Sequence, residues 1–379
     1  MKKIYLIFIT FFICIFNVFG SEVDIAKNAK SAILVENSTG KIIFEKNKDE
    51  KRSPASMTKI MTLLLVMEAI ENETLKYDEL VNISKNASDM GGTQIFVENG
   101  TSVDVLTLIK GISIASANDA AVALAEKLGG TEENFVKMMN DKAIELGCKN
   151  TNFMNPHGLD EDGHYTTAYD LSLIARELLK YEKILEFTST YEDYINISGE
   201  NHWLVNTNKL VRFYEGIDGL KTGYTDKAKY CLTATMNRND MRLVSIVMGE
   251  ETKENRNNDT ISLMEYGYSQ YGVSKIYDSS ESFGNIVVNN AKNKSVKYYL
   301  EKDVNLIVKK GNKNIDYKVD TLLYDIKAPL KKNDVIGKLI LSYEENKFEY
   351  NLIVRDGVEK ASLFDVFEIV LRNILSGYE

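Results

Sequence analysis

Cysteine and histidine are scarce in this 379-residue chain, three of each, and its 46 Lys and Arg are outnumbered by 55 Asp and Glu. Few cysteines exclude a disulfide framework. Cys14 lies in an apolar leader, and the remaining Cys148 and Cys231 have no C-x-x-C spacing that would hold zinc. The two could pair in an oxidising compartment, but two separate buried thiols is the preferred reading. Few histidines exclude more. His157 sits in Pro-His-Gly, His164 follows Asp-Gly, and His202 precedes the only tryptophan. None belongs to His-Glu-x-x-His or another ligand spacing, so neither a metal centre nor a Ser-His-Asp triad is expected, and turn or packing roles remain. A formal charge of −9 argues against nucleic acid and against general attraction to anionic lipid. Internal repeats and low-complexity linkers are also missing.

Long apolar runs are equally rare, and one opens the chain. Lys2 and Lys3 precede Ile4 to Phe16, followed by Asn17-Val18-Phe19-Gly20 and Ser21. A basic start, a short apolar stretch and a small residue at its end predict a secretory signal peptide over 1–20 and an exported protein. The alternative, an uncleaved anchor, needs about 20 apolar residues, more than this run offers. Ile13 is too large for a lipoprotein cleavage site before Cys14. Removing the leader takes two lysines and brings the charge to −11.

The rest has room for two domains, with 44% apolar residues to fill their cores. Ala32 to Val35 and Lys41 to Phe44 flank Asn37-Ser38-Thr39-Gly40, a hairpin pattern. Ser53 suits a helix N-cap and Pro54 the first helical position, ahead of a run reaching Ile70. Helical spacing recurs over 103–127, 132–146, 167–186 and Asp259 to Tyr271, and strands are expected over Tyr230 to Met236 and Met241 to Met248. Beyond about 280, short β-type runs separated by Gly, Asn, Asp and Lys predict a small all-β domain. Leu363 to Tyr378 reads as one amphipathic helix.

Three motifs carry chemistry. Ser-x-x-Lys occurs at Ser38/Lys41, in the hairpin turn, and at Ser56/Lys59, where a helical turn puts both side chains on one face. The helix beyond, Ile60 to Met67, is apolar nearly all round and should run through a core. Lys59 then stands at the edge of a low-dielectric interior, which disfavours its charged form and lets it take the serine proton. Ser116-Ala117-Asn118 places a hydroxyl and an amide among small residues. Ser84-Lys85-Asn86 repeats that pattern, so it is weak alone. Lys221-Thr222-Gly223 offers a cation and hydroxyl for a carboxylate, with Gly223 leaving room for a peptide backbone along the strand edge.

Taken together, in this order and spacing, the three motifs resemble the set shared by penicillin-binding proteins and serine β-lactamases. The stretches Arg52 to Thr62, Asn155 to Asp160, Thr167 to Leu171 and Asp218 to Thr225 narrow the resemblance to low-molecular-mass, serine-type D-alanyl-D-alanine carboxypeptidases. It runs from about Ala32 to Gly249. It implies an α+β fold: a transpeptidase-like domain at 22–275, an all-β domain at 280–358 and a membrane-associating helix at 359–379. It further implies no cofactor, peptidoglycan stem peptides as substrate and β-lactams as inhibitors. Ser56 would be acylated, Lys59 would act as base, and Ser116 and Asn118 would pass the leaving-group proton and hold the substrate amide. Lys221, Thr222 and Gly223 would form the carboxylate side of the site, with the oxyanion hole made by the backbone N–H groups of Ser56 and Tyr224. Tyr224 stands where many relatives have histidine. Two rival readings are a β-lactamase, for which a Glu-x-x-Leu-Asn segment is missing, and a non-catalytic penicillin or wall-peptide binder. The second would bury a lysine and several hydroxyls without catalytic return. The polar face of the tail helix has a single Arg, so docking of its apolar stripe on the β domain competes with a membrane role.

Overall fold

The computed structural model describes residues 25–312, 314–344 and 346–365, with Phe367, Leu371 and Ile374. The expected signal peptide and most of the expected tail helix lie outside the described residues.

Alternating side chains build the first domain around an antiparallel sheet. Its five strands run in the order Ile42–Lys46, Ser31–Glu36, Met241–Glu250, Lys229–Arg238, Ile217–Thr225. Period-2 geometry sends Ile33 and Val35 to one core, and Ala32 and Leu34 to another on the opposite face. The second core is closed by Leu263 and Met264 of the Lys253–Gln270 helix. That helix starts six residues before the expected Asp259, because Thr252 Oγ1 caps it by accepting from Asn255 N at 3.0 Å. The Asn37–Gly40 turn forms as expected, and the Glu36 carboxylate accepts the N–H groups of Ser38 and Thr39 at 2.9 and 2.8 Å.

The Lys59–Glu71 helix is buried from Lys59 to Met67, as an all-round apolar sequence requires. Its entry differs from the expectation. Residues Ala55–Thr58 form a 3₁₀ turn, and Ser53 does not cap it. Ser53 Oγ instead donates to Asp160 Oδ1 at 2.7 Å, a charge-assisted hydrogen bond to a residue remote in sequence. The helix expected over 103–127 also divides. Val105–Lys110 runs into a wide π turn, Gly111–Ala115, then Ser116 takes a left-handed φ of 70° before Asn118–Gly129. Such wide turns concentrate at functional sites. The 167–186 pattern likewise becomes two helices, Ala168–Leu178 and Ile184–Thr188.

The β region begins at Tyr271–Tyr277, which pairs antiparallel with Val304–Lys309 directly after the Lys253–Gln270 helix. A five-stranded sheet follows in the order Ser282–Val287, Ser295–Leu300, Asn346–Ile353, Val335–Tyr343, Tyr317–Leu323. It has its own core, including Leu300, Leu339 and Leu352. Lys41 Nζ ties it to the first domain, 2.8 Å from Glu344 Oε1 and 5.1 Å from the Tyr271 ring centroid. At the tail, Leu363, Phe364, Phe367, Leu371 and Ile374 are all exposed. Among the described residues no helix is long and apolar enough to cross a membrane. Cys148 and Cys231 are both free thiols, Cys231 buried.

Candidate active site

Three pieces of chain meet at a cleft of about 540 Å³: the 3₁₀ turn with Ser56, the bend at Ser116, and the edge strand Ile217–Thr225. Ser56 stands one turn before Lys59, which is fully buried. Lys59 Nζ lies 3.1 Å from Ser56 Oγ, 2.7 Å from Asn118 Oδ1 and 2.6 Å from the His157 carbonyl. Burial holds the Lys59 pKa well below its usual value, reinforced by the Lys221 charge and opposed by Asp119. A neutral amine has two hydrogens and a lone pair. With Asn118 and His157 as the two acceptors, the lone pair is left for the Ser56 proton.

The turn that supplies the His157 carbonyl depends on glycine. Gly158 has φ of +89°, and a Cβ there would stand 2.0 Å from the Ala55 carbonyl oxygen. His157 therefore enters the site through its backbone. His164 supports the turn before Lys59: Met154 N–H donates to its Nδ1 at 2.9 Å, which leaves Nε2–H to donate to Thr58 Oγ1 at 2.8 Å. Burial lowers the His164 pKa to about 4, so it is neutral at working pH. These are the packing roles expected of the histidines. Among the described residues no group of acids, histidines and cysteines could hold a metal ion.

Ser116 lines the same cleft as Ser56, at a residue whose left-handed φ breaks the helix between Ala115 and Asn118. Asn118 stands between the base candidate Lys59 and the Gly91 loop. Its Oδ1 accepts from Lys59 Nζ, and its Nδ2 donates to the Gly91 carbonyl at 2.8 Å, so it fixes the position of the Lys59 amine. Lys221 is 1% exposed, with burial, then the Arg256 charge, lowering its pKa to about 7. Thr222 Oγ1 donates to Thr207 Oγ1 at 2.7 Å. Gly223 lies on the edge strand, lines the cleft and packs against the 3₁₀ turn that carries Ser56. A Cβ there would meet the Pro54 carbonyl oxygen at 2.9 Å and Ala55 Cβ at 3.1 Å. The missing side chain lets the strand press against the turn that carries Ser56, and Tyr224 and Ser56 line the same cleft.

Residues 19–252, more than half the chain, match the D-alanyl-D-alanine carboxypeptidase family. The chain belongs to that family. Residues 271–360 match the C-terminal domain of penicillin-binding protein 5. D-alanyl-D-alanine carboxypeptidase DacF of Bacillus subtilis is 44% identical over 341 residues, 89% of this chain and 88% of the relative. A peptidoglycan synthesis regulatory factor (PBP3) from Streptococcus pneumoniae has a crystal structure that superposes with a TM-score of 0.74 at 28% identity, over 88% of this chain and 99% of that one. Penicillin-binding protein D2 of Listeria monocytogenes, in its ampicillin-bound form, is 34% identical with a TM-score of 0.58, over 64% of this chain and 98% of that one. The protein is thus a serine-type D-alanyl-D-alanine carboxypeptidase, a penicillin-binding hydrolase whose mixed helix and sheet domain is followed by an all-β one.

For a carboxypeptidase the cleft needs a cationic end, and the motif residues supply only part of it. Arg256 lines the cleft at 5% exposure. Its Nε and Nη2 donate to Asn257 Oδ1 at 3.1 and 2.9 Å, and among the described residues it makes no ion pair. A buried guanidinium without a carboxylate is costly and suits an incoming one. Sequence reasoning missed Arg256 and Thr207. Neither lies in a motif, and an arginine on a polar helix has the look of a solvated one. Among the described residues no carboxylate lines the cleft. Asp119, the acid beneath it, is buried and accepts from the N–H groups of Ile95 and Val97 at 3.1 and 3.2 Å.

Proposed function

We propose that the enzyme removes the terminal D-alanine of peptidoglycan stem peptides through an acyl-enzyme at Ser56. Lys59 Nζ takes the Ser56 proton as Oγ attacks the penultimate D-alanine carbonyl. The oxyanion settles between the backbone N–H groups of Ser56 and Tyr224. Ser116 passes the proton to the departing D-alanine nitrogen, and the C–N bond breaks. Lys221, Thr222 and Arg256 hold the terminal carboxylate, and water then hydrolyses the ester. The observation that carries this reading is the Lys59 amine, buried and 3.1 Å from Ser56 Oγ with two other acceptors fixing its direction. Release of free D-alanine from a peptide ending in D-Ala-D-Ala, abolished by Ser56→Ala, tests it.

β-Lactams acylate the same serine in this reading. A cleft without a lining carboxylate has nothing to activate water on that bulky adduct, so nitrocefin should turn over far more slowly than D-alanine is released. Rates that match would favour a β-lactamase. The domains divide as a catalytic unit over 22–275, a β domain and a tail. Export by the leader and attachment of the tail to the outer face of the cytoplasmic membrane complete the reading. Exposed Leu363, Phe364 and Phe367 support an interfacial helix. Deleting residues 360–379 should release the protein from the membrane fraction without loss of folding stability. A truncated protein that stays with membranes would contradict it.

A further inference from the structure

Beside the cleft stands a two-stranded hairpin, Glu192–Ile197 and Glu200–Val205. Its inner face is core: Ile195, Ile197 and Leu204 are at most 4% exposed. Period 2 puts Glu192, Tyr194 and Asn196 on the other face, opposite Val205, Trp203 and Asn201 respectively. Tyr194 is 65% and Trp203 60% exposed, directly across from each other. Among the described residues neither ring stacks on another aromatic, and neither the Tyr194 hydroxyl nor the Trp203 ring N–H has a protein partner. Asn196 Nδ2 donates to Asn201 Oδ1 at 3.1 Å beyond them. Two broad aromatic rings bordered by amides, on a rigid sheet, are an expensive thing to leave in water.

The chemistry of this face selects its occupant. Aromatic planes meet the C–H faces of sugar rings, and side-chain amides exchange hydrogen bonds with hydroxyl and acetamido groups. Its one carboxylate, Glu192, stands 3.5 Å from Arg212, so the face offers little net charge to a charged partner. It is continuous with the cleft. Val205, at the end of this face, lines the cleft with the Asn206 and Thr207 that follow it, and Thr207 N–H donates to the Ile114 carbonyl at 3.1 Å, tying the end of the hairpin to the bend that carries Ser116. From Val205 to Asn201 the strand advances about 13 Å, enough for a short saccharide segment.

We propose that the Tyr194–Trp203 face is a saccharide subsite that takes the glycan strand whose stem peptide occupies the cleft. This rests on the reading of the cleft as a stem-peptide site, yet its test does not need the cleft. Trp203 is the only tryptophan, so the emission of the full-length protein reports on this face alone. Titration with glycan strands freed of stem peptides should shift that emission. Tyr194→Ala and Trp203→Ala should each weaken co-sedimentation with insoluble peptide-free glycan by about fivefold or more, with Trp203→Phe restoring most of it. D-Alanine release from a short soluble peptide should stay within about twofold of the parent in all three variants. Emission that ignores glycan, or alanine variants that sediment like the parent, would overturn the subsite while leaving the carboxypeptidase reading intact. Equal losses on soluble peptide and on glycan would overturn it too, by giving the hairpin a packing role. Emission that responds to phosphatidylglycerol vesicles but not to glycan would overturn it in favour of a membrane contact.

Discussion

Lys221→Met separates the electrostatics of this cleft from its packing. Lys221 is buried, and its pKa falls from 10.5 to about 7. At about 1.36 kcal/mol per unit, the folded state forgoes about 5 kcal/mol when both folded and unfolded lysines are protonated. The sign follows from proton binding. Between the folded and unfolded values the unfolded chain binds more protons, so stability rises with pH across that window. The penalty is nearly complete at pH 6, about 2 kcal/mol at pH 9 and absent above the unfolded value. Methionine fills the same space without the charge, losing the hydrogen bond from Lys221 Nζ to the Thr222 carbonyl, about 1 kcal/mol. Urea unfolding of parent and variant at pH 6 and pH 9 should thus show an advantage for Lys221→Met that shrinks by about 2–3 kcal/mol over that interval. The same substitution removes a charge that depresses the Lys59 pKa, so the acid limb of penicillin acylation should move to higher pH. A stability difference independent of pH would refute the reasoning, because it would mean that Lys221 titrates normally.

Other substitutions probe the remaining contacts. Lys59→Ala should slow penicillin acylation by about 10²-fold or more in stopped-flow assays, the loss of a general base. Gly223→Ala, whose Cβ would meet the Pro54 carbonyl at 2.9 Å, should cost about 1–3 kcal/mol in urea unfolding and slow acylation by displacing Tyr224. An unchanged rate would show that strand and nucleophile turn move independently. Arg256→Gln should raise KM for a D-Ala-D-Ala peptide by about 10- to 100-fold, as expected for a lost charge-assisted contact, with kcat little changed in steady-state assays.

The pairing of Ser56 with Lys59 is legible because it is local. Ser56 and Lys59 share one turn, and the apolar run behind them announces that the lysine is buried. Lys221 and Thr222 were legible because their motif lies just ahead of a strand. Local pattern fails where a distant group competes. Ser53 looks like a cap until Asp160, remote in sequence, takes its hydroxyl. The 103–127 periodicity is continuous, yet a Cβ on Gly111 would stand 2.8 Å from Ile95, and the chain opens into a π turn there instead of continuing. Arg256 and Thr207 reach the cleft only through tertiary packing, which no spacing encodes. The β region was expected as a set of short strands; the link between Tyr271–Tyr277 and Val304–Lys309 is a pairing that propensity alone does not specify.

The central claim is that Ser56 is the residue acylated, with Lys59 drawing off its proton. The most direct test is to incubate the protein with penicillin, digest it with trypsin and locate the added mass. The account predicts the adduct on the peptide containing Ser56 and its loss in Ser56→Ala. An adduct on Ser38, which shares the Ser-x-x-Lys spacing, or no adduct at all, would contradict it.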